Sequence, residues 1–133
     1  MKSWHVIWML IFGLATAQNV CARQLLVPAA YSTIQGAIIG ASAGDTVLVA
    51  PGKYNGGFSI SNKKSITLAS YYITTKDTSY ISQTVMSNFS TFEITGNDFV
   101  LLKGITIVNR CHIGIESVDS NLTLEKMVIT RTD

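Results

Sequence analysis

The chain has 133 residues, two cysteines and a formal net charge of +2, and its length allows one domain. With a charge this close to neutral and no basic run longer than Lys63-Lys64, it lacks the electrostatic footprint of a nucleic-acid-binding protein, so nucleic acid is not an expected partner. Its Cys, His and carboxylate residues follow no metal-ligand spacing, so we expect neither a metal nor another cofactor.

The first segment has the layout of a secretory signal peptide. Lys2 supplies a positive charge, Val6 to Ala17 is an apolar run, and small residues at alternate positions follow. The run is about a dozen residues, whereas crossing a bilayer takes roughly 20, which favours a cleaved signal over a membrane anchor. We therefore predict a signal peptide at 1–22, a secreted protein (extracellular, at the cell surface or in the periplasm) and no membrane span after cleavage.

The cleavage position decides the state of the cysteines. A cut after Ala22 leaves a domain at 23–133 in which Cys111 is the sole cysteine. A cut after Ala17 keeps Cys21 as well and permits a bridge. An unpaired Cys111 is most simply a small buried apolar residue, because a catalytic thiol needs a base beside it.

The beginning of the domain predicts a helix followed by a strand. One apolar helical stripe has the spacing i, i+3, i+4 and i+7, and its members are Ile34, Ala37, Ile38 and Ala41. Ser32 or Thr33 can cap the start of this helix, and Gly44 is expected to end it. Val47 begins the first strand, and Pro51-Gly52 forms a corner. If the strands that follow stack into a solenoid, the open end of that solenoid must be covered. We therefore interpret this helix as a terminal cap.

The rest of the chain repeats a pattern of apolar-x-apolar triplets separated by polar turns. Repeats begin at Phe58, Phe92 and Ile113. The step from Val100 to Leu122 equals the step from Ile107 to Ile129, and the step from Phe92 to Ile113 is shorter by one. The first repeat carries Tyr71/Ile73 as its third triplet. Its step from Phe58 to Phe92 is much longer than the later ones, so extra residues must lie between Ile73 and Phe92.

Because side chains alternate along a strand, each triplet places its apolar pair on one face. Three such strands in each repeat of roughly 20 residues form a triangular coil, and successive coils stack strand on strand in parallel. The pattern therefore predicts an all-β protein: a parallel β-helix solenoid with three short strands per rung, about three rungs and an N-terminal cap helix.

Two stretches also carry a resemblance to a known family. They are YSTIQGAIIGASAGDTVLVAPGKY from Tyr31 and FSISNKKSITLAS from Phe58. They resemble the start of secreted right-handed parallel β-helix proteins of the pectin-lyase-like superfamily, and ASYYITTKDTSYISQTVM resembles its bacterial surface members. The resemblance spans 25–132 and implies a right-handed coil. It also implies that an enzyme of this kind would carry acidic and basic residues, some holding calcium, on the outer face of its middle rungs.

Strand alternation predicts which residues point outward. They are Ser59, Glu93 and Gly114 in one sheet, Thr67, Leu101 and Thr123 in the next, and Tyr72, Thr106 and Val128 in the third. Glu93 is the one charged residue among them, which supplies neither a carboxylate pair for glycosidic chemistry nor a calcium cage. Asp98, Glu116 and Asp119 are assigned to turns.

The candidate carbohydrate-binding residues are Tyr71, Tyr72 and Tyr80 around the long loop, with Glu93 as an outward carboxylate. Exposed tyrosine rings can stack on the apolar faces of sugars. The alternative is that the same rings fix the loop onto the coil. No catalytic residue is assigned.

These observations favour a secreted, non-catalytic module associated with carbohydrate or the cell surface, with polysaccharide as its partner. One alternative is the N-terminal part of a polysaccharide lyase, esterase or hydrolase whose catalytic rungs follow Asp133. Another is a structural or adhesive solenoid. Whether the protein is an enzyme stays open, although we do not expect activity from this chain alone. The last strands carry no cap, which predicts either continuation into a longer coil or self-association through the open C-terminal rung.

Overall fold

The computed structural model describes residues 21–63, 65–88, 92–97, 99–109 and 114–132. Most of the predicted signal peptide, Cys111 and the predicted turn residue Asp98 lie outside these ranges. The described elements follow in chain order: β1 Gln24–Val27, α1 Ile34–Gly40, β2 Thr46–Val49, β3 Gly52–Asn55, β4 Ser59–Ser61, β5 Ile66–Ser70, α2 Tyr72–Thr75, α3 Ser79–Gln83, β6 Thr84–Asn88, β7 Phe92–Thr95, β8 Val100–Lys103, β9 Thr106–Asn109, β10 Ile115–Val118, β11 Leu122–Glu125 and β12 Val128–Arg131.

The strands form three sheets. Sheet A has the order β1-β2-β5-β8-β11, sheet B the order β3-β6-β9-β12 and sheet C the order β4-β7-β10. Every pairing between described strands is parallel. The chain visits A, B and C in turn, so β2–β4, β5–β7 and β8–β10 are three complete rungs. The predicted parallel β-helix is confirmed.

The core consists of columns of inward side chains that stack from rung to rung. In sheet A, Val47, Leu68 and Leu102 occupy one column, and in sheet B, Met86 stacks on Ile107. In sheet C the rings of Phe58 and Phe92 lie 4.6 Å apart. All of these side chains are buried. Because each fully buried side chain of this size contributes about 1.5–3 kcal/mol, the columns are the main source of stability.

The cap helix is confirmed, with Thr33 as its N-cap: the Gly36 amide donates to Thr33 Oγ1 at 3.0 Å. The predicted stripe is buried against the coil. Two details differ from expectation. The helix ends at Gly40 rather than at Gly44, and the strand β1, which the sequence did not indicate, precedes it and pairs with β2.

The prediction that the third triplet of the first repeat forms a strand was wrong. Tyr71 and Ile73 do not belong to a strand, because α2 begins at Tyr72. The sheet B strand of this rung is β6, whose Val85 pairs with Thr106. The extra residues are therefore 71–83, between sheets A and B, and begin earlier than predicted.

The predicted register of the last sheet C strand was also wrong. Ile115, not Ile113, pairs with Phe92, so the true partner lies two positions further along the chain than predicted. This shift brings Glu116 beside Glu93, in place of Gly114, and puts Glu116 in strand β10 rather than in a turn. The predicted stacking of Val100 on Leu122 is confirmed.

The corner between sheets C and A is held by a polar network. Asn97 is buried, and its Nδ2 donates to the Ile60 carbonyl oxygen at 2.8 Å. Its Oδ1 accepts from the Lys63 amide at 2.8 Å, and its own amide donates to Ser120 Oγ at 2.9 Å. Asn97 thus joins three successive rungs through its side chain and its backbone amide, which fixes their register because buried polar groups must keep their hydrogen bonds.

Candidate functional site

The insertion at residues 71–83 is the main departure from the regular coil. It leaves sheet A after Ser70, whose Oγ donates to the carbonyl oxygen of Gly104 in the next rung. At its other end, Thr106 Oγ1 donates to the Ile81 carbonyl oxygen at 2.7 Å. The insertion is therefore attached to rung 3 (β8–β10) at both ends. Irregular segments held in this way on a rigid scaffold are common binding sites.

Gly104 allows the close contact between the insertion and the coil. Its φ is +71°, a left-handed conformation that favours glycine. A Cβ at this position would lie 2.8 Å from both Ser70 Oγ and Tyr72 Cβ. Tyr72 is accordingly buried, at 9% exposure. The prediction that Tyr72 points outward was wrong, because the residue is in a helix that packs onto the coil.

The other two tyrosines come together on the insertion. The rings of Tyr71 and Tyr80 are 5.8 Å apart with an edge-to-face arrangement, and both side chains are half-buried. Lys76 ends α2 and lies 5.9 Å from the centre of the Tyr72 ring. The insertion therefore presents two partly exposed aromatic rings and a cation.

Further positive charge lies near the insertion. Lys103 Nζ donates to Glu125 Oε1 at 2.6 Å. This hydrogen bond, together with the charges of Lys103, Lys76 and Lys126, lowers the pKa of Glu125. Since Glu125 is paired with Lys103, the surroundings of this carboxylate are positive on balance.

Glu93 is not part of this surface. It is exposed on β7 in sheet C, whereas the insertion packs on sheets A and B. Its neighbour across the strands is the exposed Glu116, which reasoning from the sequence missed because it used the wrong register. Within the described ranges, no three His, Cys, Asp or Glu residues are grouped as a metal site would require.

A cleft of about 350 Å³ lies at the capped end of the coil. One side is formed by Thr33 and Ile34 at the start of α1, and the other by Lys53, Asn55 and the loop before β4. The cleft joins two segments that are distant in sequence. The sequence analysis did not predict this cleft, although the Gly56-Gly57 pair indicates a loop at one of its sides.

No family model, curated protein or solved structure matches this chain. In the part of the chain that the structure describes, the helices are all too short or too polar to span a lipid bilayer.

Proposed function

We propose that this protein is a secreted, non-catalytic module that binds carbohydrate through the insertion, on a β-helix of the pectin-lyase-like kind. The observation that carries the proposal is the pair of partly exposed rings, Tyr71 and Tyr80, held on a loop that is hydrogen-bonded to the coil. Rings that are already fixed lose little conformational entropy on stacking against a sugar. The nearby lysines favour a polysaccharide that carries negative charge.

Depletion binding tests the proposal with three insoluble polysaccharides: cellulose, chitin and cross-linked pectate. We expect at least one of them to bind. Replacing both rings, with Tyr71→Ala and Tyr80→Ala, should weaken that binding about tenfold, which corresponds to about 1.4 kcal/mol. Phe99→Ala is the matched control, because Phe99 is an aromatic residue, 41% exposed, that lies outside the insertion. Equal losses in the variant and the control, or no binding by the wild type, would contradict the proposal.

The proposal includes export and cleavage of the segment 1–22. Intact-mass measurement on protein recovered from the culture medium tests this part separately. Retention of Met1 in the recovered protein would contradict it.

A second candidate, cleavage of a glycosidic bond, is favoured by one observation. Glu93 and Glu116 lie side by side on adjacent strands, where neighbouring chains are about 4.8 Å apart. Retaining glycosidases use two carboxyl groups about 5–5.5 Å apart. The test is incubation with pectate, methylated pectin and alginate. If the wild type releases reducing ends, and Glu93→Gln alone and Glu116→Gln alone each abolish this release, the protein is an enzyme and the non-catalytic assignment is replaced.

A further inference from the structure

The three sheets end differently at the capped end of the coil. Sheet A gains the extra strand β1 beyond β2. Sheet C ends at β4, whose Ser59 is bonded by a side chain of the cap helix: Gln35 Oε1 accepts from the Ser59 amide at 2.7 Å, and Gln35 Nε2 donates to the Ser59 carbonyl oxygen at 3.1 Å. Sheet B ends at β3, which has a strand on one side only, β6, among the residues described.

The backbone of β3 presents hydrogen-bonding groups on this open side. The Gly56 amide donates to the Ser87 carbonyl oxygen at 3.2 Å, so Gly56 faces β6. In a parallel ladder, alternate residues bond to opposite sides. Tyr54 therefore also faces β6, while the N–H and C=O groups of Lys53 and Asn55 point to the open side. Backbone groups of this kind form a template for another strand.

The cleft borders β3, because Lys53, Tyr54 and Asn55 are among the residues that line it. Tyr54, the inward residue of β3, and Phe58 line its floor, and Thr33 and Ile34 line the facing wall. A strand added to β3 would direct every second side chain onto this apolar floor. The cleft volume of about 350 Å³ is within the range of specific binding sites.

The charge of the cleft indicates the chemistry of its occupant. Of the described residues that line it, Lys53 alone is charged. Its side chain is exposed and next to the open backbone groups. A carboxylate on the neighbouring strand would face Lys53 directly, which is the favourable arrangement for a cross-strand pair.

We propose that the open edge of β3 binds an extended acidic segment of a partner protein by strand addition. Backbone hydrogen bonds to Lys53 and Asn55 supply the affinity. Alternating side chains supply the specificity, with apolar residues on Tyr54 and Phe58 and a carboxylate beside Lys53. This site is separate from the insertion and does not depend on the function proposed for it.

The experiment uses the mature chain and an acetylated, amidated octapeptide of alternating valine and glutamate. Binding is followed by titration calorimetry and by the amide NMR signals of β3. We expect saturable binding, with the Lys53 and Asn55 amides protected from exchange on addition of peptide. The same peptide with N-methyl groups on alternate residues should bind at least about tenfold more weakly, because it lacks donors for the open edge.

Two variants separate the contribution of the backbone hydrogen bonds to peptide binding from the contribution of the Lys53 charge. Lys53→Pro removes an N–H that faces the open side, a place where an edge strand tolerates proline, and should weaken binding about tenfold. Lys53→Gln should weaken it about threefold and reduce its salt dependence. Lys126→Gln, at the other end of the coil, is the control and should bind like the wild type. A thermal melt of each variant verifies its fold.

Several results would overturn the proposal. They are no binding at millimolar peptide, equal binding of the N-methylated peptide, unchanged binding by a folded Lys53→Pro variant, and protection that maps to the insertion instead of β3. Displacement of the peptide by a neutral oligosaccharide would identify the cleft as a sugar site and would also contradict strand addition.

Discussion

The middle of the coil and its last described rung contain equivalent residues in different surroundings. Leu102 and Leu124 occupy the same inward column of sheet A, yet their exposed fractions are 1% and 45%. Ile107 and Ile129 in sheet B differ in the same way, at 0% and 50%. Burial in this fold therefore depends on having a neighbouring rung on both sides, as expected for a solenoid in which each repeat contacts only the next.

The N-terminal end shows how such an exposure is covered. There α1 lies across the core, and β1 extends sheet A. Asp45, 1% exposed, fixes this arrangement by accepting from the Arg23 amide at 2.9 Å, from the Arg23 guanidinium at 2.7 Å and from the Ser42 amide at 2.9 Å. The first rung is therefore covered by a dedicated cap, whereas the inward side chains of the last described rung, such as Leu124, are partly exposed.

Truncation of matched leucines should give the largest difference between the two regions. Leu102→Ala is expected to lower the free energy of unfolding by about 3 kcal/mol, because it leaves a cavity between two rungs. Leu124→Ala should cost about 1 kcal/mol, since half of its side chain is already in water. Urea unfolding followed by circular dichroism measures both. Equal losses would mean that the last rung is as well packed as the middle.

Loss of the Asp45 carboxylate should cause the next largest decrease in the free energy of unfolding. The hydrogen bonds from Arg23 are the main cause that lowers its pKa to about 2, although burial opposes them. Stability from this group is present above the unfolded pKa near 4 and is lost as the pH falls towards 2. Asp45→Asn should cost about 2 kcal/mol at pH 7.

Melting temperatures between pH 7 and pH 2.5 measure the effect. The difference between wild type and Asp45→Asn should shrink as the pH falls. Asp119→Asn is the control, because Asp119 is an exposed residue between β10 and β11, far from the cap. A constant difference across this pH range would show that Asp45 does not act through its charge.

The contact between the cap and sheet C is expected to be weaker. Gln35→Ala removes both bonds to Ser59 and should cost about 1 kcal/mol. Hydrogen exchange of the Ser59 amide is the direct measurement and should accelerate several-fold, while the amide of Ile94 in the middle of sheet C stays protected. Unchanged exchange at Ser59 would mean that the helix does not protect this edge.

The smallest effect on stability, with a clear effect on association, is expected at the last described rung. The edges of β10, β11 and β12 and the exposed Leu124, Val128 and Ile129 favour pairing between chains. We expect the sedimentation coefficient to rise with concentration and Ile129→Lys to reduce that rise. Ile39→Lys, on the exposed face of the cap helix, is the control. A single species at all concentrations would contradict this expectation.

The stacked columns were predictable because they repeat. Val100 over Leu122 and Ile107 over Ile129 could be placed because both pairs are separated by the same step along the chain. The register at Ile115 was not predictable in this way, because a shift of two residues keeps the same alternation and leaves an apolar residue beside Phe92. This error is also the reason that the pairing of Glu93 with Glu116 was missed.

The candidate site was less predictable than the fold. Tyr72 has the spacing of a strand residue, and a short apolar run does not distinguish a strand from a helical turn. Its burial depends on Gly104, which is far away in sequence. The cleft likewise depends on how α1 and the β3–β4 loop meet, and this is determined by tertiary packing through Gln35.

At the corner between sheets A and B, the length of the connecting loop does not change the spacing of the coil. Residues 71–83 enter there, yet Thr67 still pairs with Leu101 before them and Met86 with Ile107 after them. At the corner between sheets C and A, Asn97 bonds three successive rungs, so a loop of different length is not expected to fit there. A guest peptide grafted in place of the exposed residues 74–79 should therefore be displayed on the outside without altering the strand pairing, which makes this corner a position for presenting foreign sequences on a rigid scaffold.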